Sequence, residues 1–101
     1  MYKHLVFWKI KDTGDKLRNI EIIETVKNKL ESLPGEIPEI ISYEVGVNIG
    51  SYGASFYDIS LISVFENKDT FWAYTKYPAH DEVVAYIQSV QEAEKIVDYE
   101  L

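Results

Sequence analysis

The residues best suited to chemistry gather between Asp69 and Asp81, in the run D-T-F-W-A-Y-T-K-Y-P-A-H-D. The run holds Trp72, Tyr74, Lys76, Tyr77, His80 and Asp81. A histidine exchanges its proton near neutrality, and a phenol beside it can donate to an oxygen that is gaining charge. Together they suit proton transfer next to a carbonyl group. The chain has one other histidine, His4, and a carboxylate, Asp98, far along the sequence. The same residues also fit a plainer role. The aromatics could fill a core between two helices, and His4 could be a buried histidine bonded to a neighbour. His80 could cap a helix start, and Asp98 could pair with Lys3 or Lys95 across strands.

The elements that would position these groups are legible from periodicity. Tyr2 to Ile10 reads as a strand, rich in aromatic and β-branched residues. His4, Val6, Trp8 and Ile10 share one face, and Lys3, Leu5, Phe7 and Lys9 the other. Both faces are largely apolar, so both need cover, and one helical layer covers only one. A helix is expected from about Lys16 to Ser32, with a stripe of Leu17, Ile20, Ile23, Val26, Lys27 and Leu30, ended by Pro34-Gly35. Ile40 to Asn48 reads as a second strand, with Gly46 marking a bulge or a close backbone approach. Ile49 to Phe56 is a loop of small residues, and Tyr57 to Phe65 a third strand. A helix capped by Asn67 or Asp69 runs to about Lys76 and is interrupted by Pro78. Another runs from about His80 to Gln91 or Ala93, with Val83, Val84, Ile87 and Val90 as its stripe. Lys95 to Tyr99 is the last strand.

The order strand, helix, strand, strand, helix, strand is the split βαβ, or ferredoxin-like, plan, an α+β fold with an antiparallel sheet ordered 4-1-3-2 and its helices on one face. Two such sheets packed face to face would make a closed barrel, so a homodimer is expected. The topology brings the segment from Tyr74 to His80 towards His4, and Asp98 beside His4. An enclosed pocket there would have apolar walls from Leu5, Phe7, Trp72 and the helices, with Tyr77 as a further ligand contact.

At 101 residues the chain is one domain, 47% hydrophobic and 14% aromatic. Its net charge of −7 argues against nucleic acid, whose affinity rests on Lys and Arg neutralising phosphates, and against an anionic membrane. There is no cysteine, so thiolate chemistry and disulfides are excluded. No apolar run approaches the roughly 20 residues of a membrane span. Lys9 and Lys11 interrupt the apolar N-terminal stretch, which lacks a small-residue cleavage site, so a cytoplasmic protein is expected. Two histidines without His-x-x-x-His spacing predict no metal, and no cofactor is expected.

Four stretches carry a family resemblance: K-H-L-V-F-W-K-I, Y-E-V-G-V-N, F-E-N-K-D-T-F-W-A-Y-T-K-Y-P-A-H and I-V-D-Y. Nearly the whole chain resembles the stress-responsive A/B barrel, or Dabb, family of dimeric α+β barrels. One branch of that family, plant polyketide cyclases, closes a linear ketide by aldol chemistry. The resemblance implies His80 as the base, Tyr74 as hydrogen-bond donor and His4 as a positioning residue. This chain departs from the cyclase in having Val26 in place of a tyrosine and Ile59 in place of a histidine. Enzymatic activity is therefore left open. A non-catalytic stress-response or assembly protein is the main alternative, and a cofactor-free monooxygenase a further one.

Overall fold

The computed structural model describes residues 1–101. Strand β1 (Tyr2–Ile10) leads to helix α1 (Lys16–Glu31) and a 3-10 turn at Leu33–Gly35. Strands β2 (Ser42–Val47) and β3 (Ile59–Phe65) follow, then helices α2 (Lys68–Thr75) and α3 (Pro78–Val90) and strand β4 (Gln91–Glu100). The four strands form one antiparallel sheet in the order β2-β3-β1-β4, the expected ferredoxin-like arrangement. No helix is long and apolar enough to cross a membrane.

Alternation in the two central strands decides which face the helices cover. Tyr2, Val6, Trp8 and Ile10 of β1 and Ile59, Leu61, Ser63 and Phe65 of β3 are buried on one side. Against them lie Ile22, Val26 and Leu30 of α1, Phe71 and Tyr74 of α2, and Val83 and Ile87 of α3. On α1 the buried residues Ile22, Val26 and Leu30 sit four apart, so of the expected stripe Val26 and Leu30 face the core and Ile23 packs at its edge. Leu17 and Ile20, expected in that stripe, are exposed, and Ile22 takes the inward position.

Element ends follow local chemistry. Asp15 caps α1 by accepting from the backbone N–H groups of Leu17 and Arg18. Asn67 caps α2 through a reciprocal box with Thr70, which settles the choice between Asn67 and Asp69. Helix α3 begins at Pro78 rather than His80, because proline fits the first helical position, where no intrahelical N–H is needed. Strand β4 begins at Gln91, four residues before the expected start. Gln91 itself switches to extended backbone (φ −80°, ψ 146°), so helix passes to strand with no turn residue to mark the change. Strand β2 is correspondingly shorter than expected and lacks Ile40 and Ile41. Gly46 keeps unbroken register with Ser60, where a Cβ would lie 3.0 Å from the serine Oγ. It marks a close approach, and the sheet's irregularity falls instead between Lys9 and Ile10.

The other sheet face has no helix over it. Leu5, Phe7, Ile62, Val64, Val97 and Tyr99 form an apolar field there, flanked by Lys3, Lys9 and Lys95. Val97 is 53% exposed and Tyr99 39% exposed in the single chain.

Candidate functional site: a cavity between α3 and the sheet

Helix α3 places His80, Val83, Val84, Ile87 and Gln88 on one stripe, at spacings of three, four, seven and eight residues. Strand β1 opposes it with His4, Val6 and Trp8, which alternate towards the helices. Helix α2 adds Phe71, Tyr74 and Thr75, again three and four residues apart. These elements line a half-open cavity of about 210 Å³, below the usual range of about 300–1,000 Å³ for ligand pockets. His4, Tyr74 and His80 all line it.

At one end, His4 Nδ1 lies 2.5 Å from Asp98 Oδ1, its direct cross-strand neighbour in β4. The Tyr2 hydroxyl donates to the other carboxylate oxygen at 2.8 Å. A carboxylate only accepts, so this bond puts the His4 proton on Nδ1 and leaves Nε2 as the free acceptor. Ser63 Oγ donates to the His4 carbonyl at 3.0 Å, and the Phe71 ring lies tilted against the imidazole, its centroid 4.8 Å away. The ring is thus fixed from several sides. Burial, with Asp98 adding to it, pushes the Tyr2 phenol up to about 12.

Tyr74 is buried among Phe65, Phe71 and the His80 ring, whose centroid lies 4.6 Å from its own. Its hydroxyl is 2.7 Å from that of Tyr43 on β2. Burial raises both phenols, Tyr74 to about 12, while the Tyr43 bond pulls Tyr74 the other way. At neutral pH Tyr74 therefore keeps its proton. If Tyr43 donates to it, its own O–H is free to turn to a ligand. Tyr43 is not among the residues expected at the site. The alternation of Tyr43, Val45 and Val47 was the available signal, because it puts Tyr43 on the helix side of β2.

His80 sits in the first turn of α3, largely buried, and its pKa is lowered. Burial is the main cause and the proximity of His4 adds to it, while Asp81 and the Thr75 backbone oppose both. Asp81 is 3.7 Å from His80 Nδ1, too far for a hydrogen bond, and that nitrogen is buried without a partner. The result is a neutral imidazole with an unused nitrogen inside the protein. No three His, Asp or Glu side chains gather as metal ligands anywhere in the chain.

The expected pocket walls are arranged differently. Leu5 and Phe7 belong to the open sheet face, because strand alternation turns them away from His4, Val6 and Trp8. Trp72 is 51% exposed, about 100° around α2 from Phe71, and does not line the cavity. The Tyr77 hydroxyl donates to Glu39 at 2.7 Å and braces the turn before α3, outside the cavity. The apolar walls are instead Val6, Leu61, Val83 and Ile87, with Ile96 of β4 at the margin.

The comparisons with known proteins agree with this architecture. No curated protein matches the sequence. A dimeric protein of unknown function and ferredoxin-like fold from Bacteroides fragilis NCTC 9343 has a TM-score of 0.87 at 29% identity, covering 99% of this chain and 95% of that one. A dimeric ferredoxin-like protein of unknown function from Thermobifida fusca YX has a TM-score of 0.84 at 27% identity, over 99% and 90%. A hydroxynitrile lyase from Passiflora edulis shares the fold at 17% identity, with a TM-score of 0.83 over 99% and 92%. The family described as Stress responsive A/B Barrel Domain matches residues 2–101. The chain belongs to that family.

Proposed function

We propose that this protein is a cytoplasmic homodimeric barrel that binds a small carbonyl compound in the α3 cavity and moves a proton next to the carbonyl without a cofactor. The observation that supports the reading is the convergence of His4, Tyr74 and a neutral His80 on one half-open, largely apolar cavity. The His80 imidazole accepts the proton from the carbon beside the carbonyl. The C–H electron pair moves into the carbonyl and gives an enolate. Tyr74 donates to the enolate oxygen, and Tyr43 donates in turn to Tyr74. His4, held by Asp98, positions the compound. A general base of this kind contributes about 10²–10⁴-fold.

The homodimer rests on the bare apolar sheet face and on the dimeric state of the relatives from Bacteroides fragilis and Thermobifida fusca. Exchange of α-protons for deuterium in small ketones and keto acids, followed by NMR in D2O, tests the chemistry. Wild-type protein should accelerate exchange above buffer, and His80→Ala should lose at least about 10²-fold while still folding. Exchange no faster than buffer, or an undiminished rate in His80→Ala, would remove the proposal and favour a non-catalytic barrel.

A further inference from the structure

Two buried side-chain polar atoms in the protein lack a hydrogen-bond partner: His80 Nδ1 and Gln91 Oε1. Such atoms are rare in folded proteins, and each asks for an explanation. The two residues line opposite ends of one elongated space. From His80 to Gln88, α3 advances eight residues, about 12 Å. From His4 to Trp8, β1 advances about 13 Å. Beyond the main cavity is a smaller one of about 40 Å³, which shares Trp8, Val84, Ile87, Gln88 and Glu94 with it and is closed by Gln91. The sequence of linings is therefore polar at the His80 end, apolar through Val83 and Ile87, and polar again at Gln91 and Glu94. The far polar end offers the Gln91 side-chain amide, whose oxygen is buried without a partner, and the exposed carboxylate of Glu94.

We infer that the cavity takes a small linear carbonyl compound whose far end carries a hydrogen-bond donor, a hydroxyl or an amine, received by Gln91 and Glu94. This assignment of the tail rests on the reading of the cavity given under Proposed function. An all-apolar tail would leave Gln91 Oε1 unpaired, and a carboxylate tail would meet Glu94 with like charge.

The test is an NMR titration of the full-length protein, following the indole N–H of Trp8. The probes are nonan-2-one, 8-hydroxyoctan-2-one and 8-oxononanoate, which share a ketone end and differ at the tail. The hydroxy ketone should bind about tenfold more tightly than nonan-2-one, the worth of one hydrogen bond to an otherwise unpaired group. Gln91→Leu should erase that preference while keeping nonan-2-one bound. Glu94→Gln, at an exposed position, should admit 8-oxononanoate that the wild type rejects. Equal wild-type affinities for the two neutral ketones would overturn the assignment, and that comparison needs no variant. A preference that survives in Gln91→Leu would overturn it too, as would continued rejection of 8-oxononanoate by Glu94→Gln. If nonan-2-one binds with no preference at the tail, only this inference falls. If neither ketone moves the Trp8 signal, the carbonyl-binding reading of the cavity falls with it.

Discussion

Replacing Asp98 with alanine should unfix His4 and weaken the fold by an amount the structure sets. Asp98 accepts from His4 Nδ1 at 2.5 Å and from the Tyr2 hydroxyl at 2.8 Å. A hydrogen bond to a charged group is worth about 1.5–3 kcal/mol when sheltered. The carboxylate is 29% exposed, so water recovers part of the loss on its side. His4 is only 13% exposed, and Tyr2 is buried against Phe71. Two partly sheltered bonds lost together then cost about 2 kcal/mol. For a domain of this size, that lowers Tm by about 10 °C at fixed protein concentration. Asp81→Ala is the control. Its carboxylate is 73% exposed and makes no hydrogen bond to His80, so its change should stay within about 0.5 kcal/mol. Thermal melting gives the first readout. Nitrogen NMR of the imidazoles gives the second: His4 should carry its proton on Nδ1 in the wild type and populate both tautomers in Asp98→Ala. Equal destabilisation by the two variants, or an unchanged His4 tautomer, would refute the claim that Asp98 holds the histidine.

Two other outcomes follow from the burial of His80 and the bare sheet face. Burial lowers the His80 pKa below its ordinary 6.5, so the unfolded chain takes up that proton at higher pH than the folded one. Stability should therefore fall as pH drops below about 6.5, His80→Gln should lose part of that slope, and an NMR midpoint for His80 above 6.5 would contradict the burial argument. On the open sheet face, Val97→Lys should split the dimer by setting a charge into the apolar field beside Leu5. Solution mass should then drop from twice 11.7 kDa to 11.7 kDa, while a wild-type mass of one chain would remove the barrel and a mass of many chains would favour the assembly-protein alternative.

Strand periodicity carried most of the fold. The alternation of Tyr2 to Ile10 and Ile59 to Phe65 fixed which side chains share a face, and the order of elements fixed the topology. It also placed His4 beside Asp98, because antiparallel pairing of β1 with β4 makes them direct neighbours. Where local signals were weak, the reading slipped. Helix α1 carries apolar residues around much of its surface, so Ile20 and Ile22 competed for the core, and only packing against the sheet chose Ile22. The passage from α3 to β4 has no glycine or proline, so nothing local announced that Gln91 begins a strand. Leu5 and Phe7 were assigned to the pocket because they are apolar, although their own alternation set them on the opposite face from His4. Tyr43 and Gln91 went unnoticed for a different reason. The importance of each depends on one atom of a distant element, the Tyr74 hydroxyl for Tyr43 and the space beside Trp8 for Gln91.

The claim on which the functional account turns is that a small ketone sits beneath α3 and not on the open side of the sheet. Intermolecular nuclear Overhauser contacts to bound nonan-2-one measure this directly. The account predicts contacts to Tyr74, His80 and Val83, and none to Leu5, Phe7 or Ile62. Contacts confined to Leu5, Phe7 and Ile62 would contradict it.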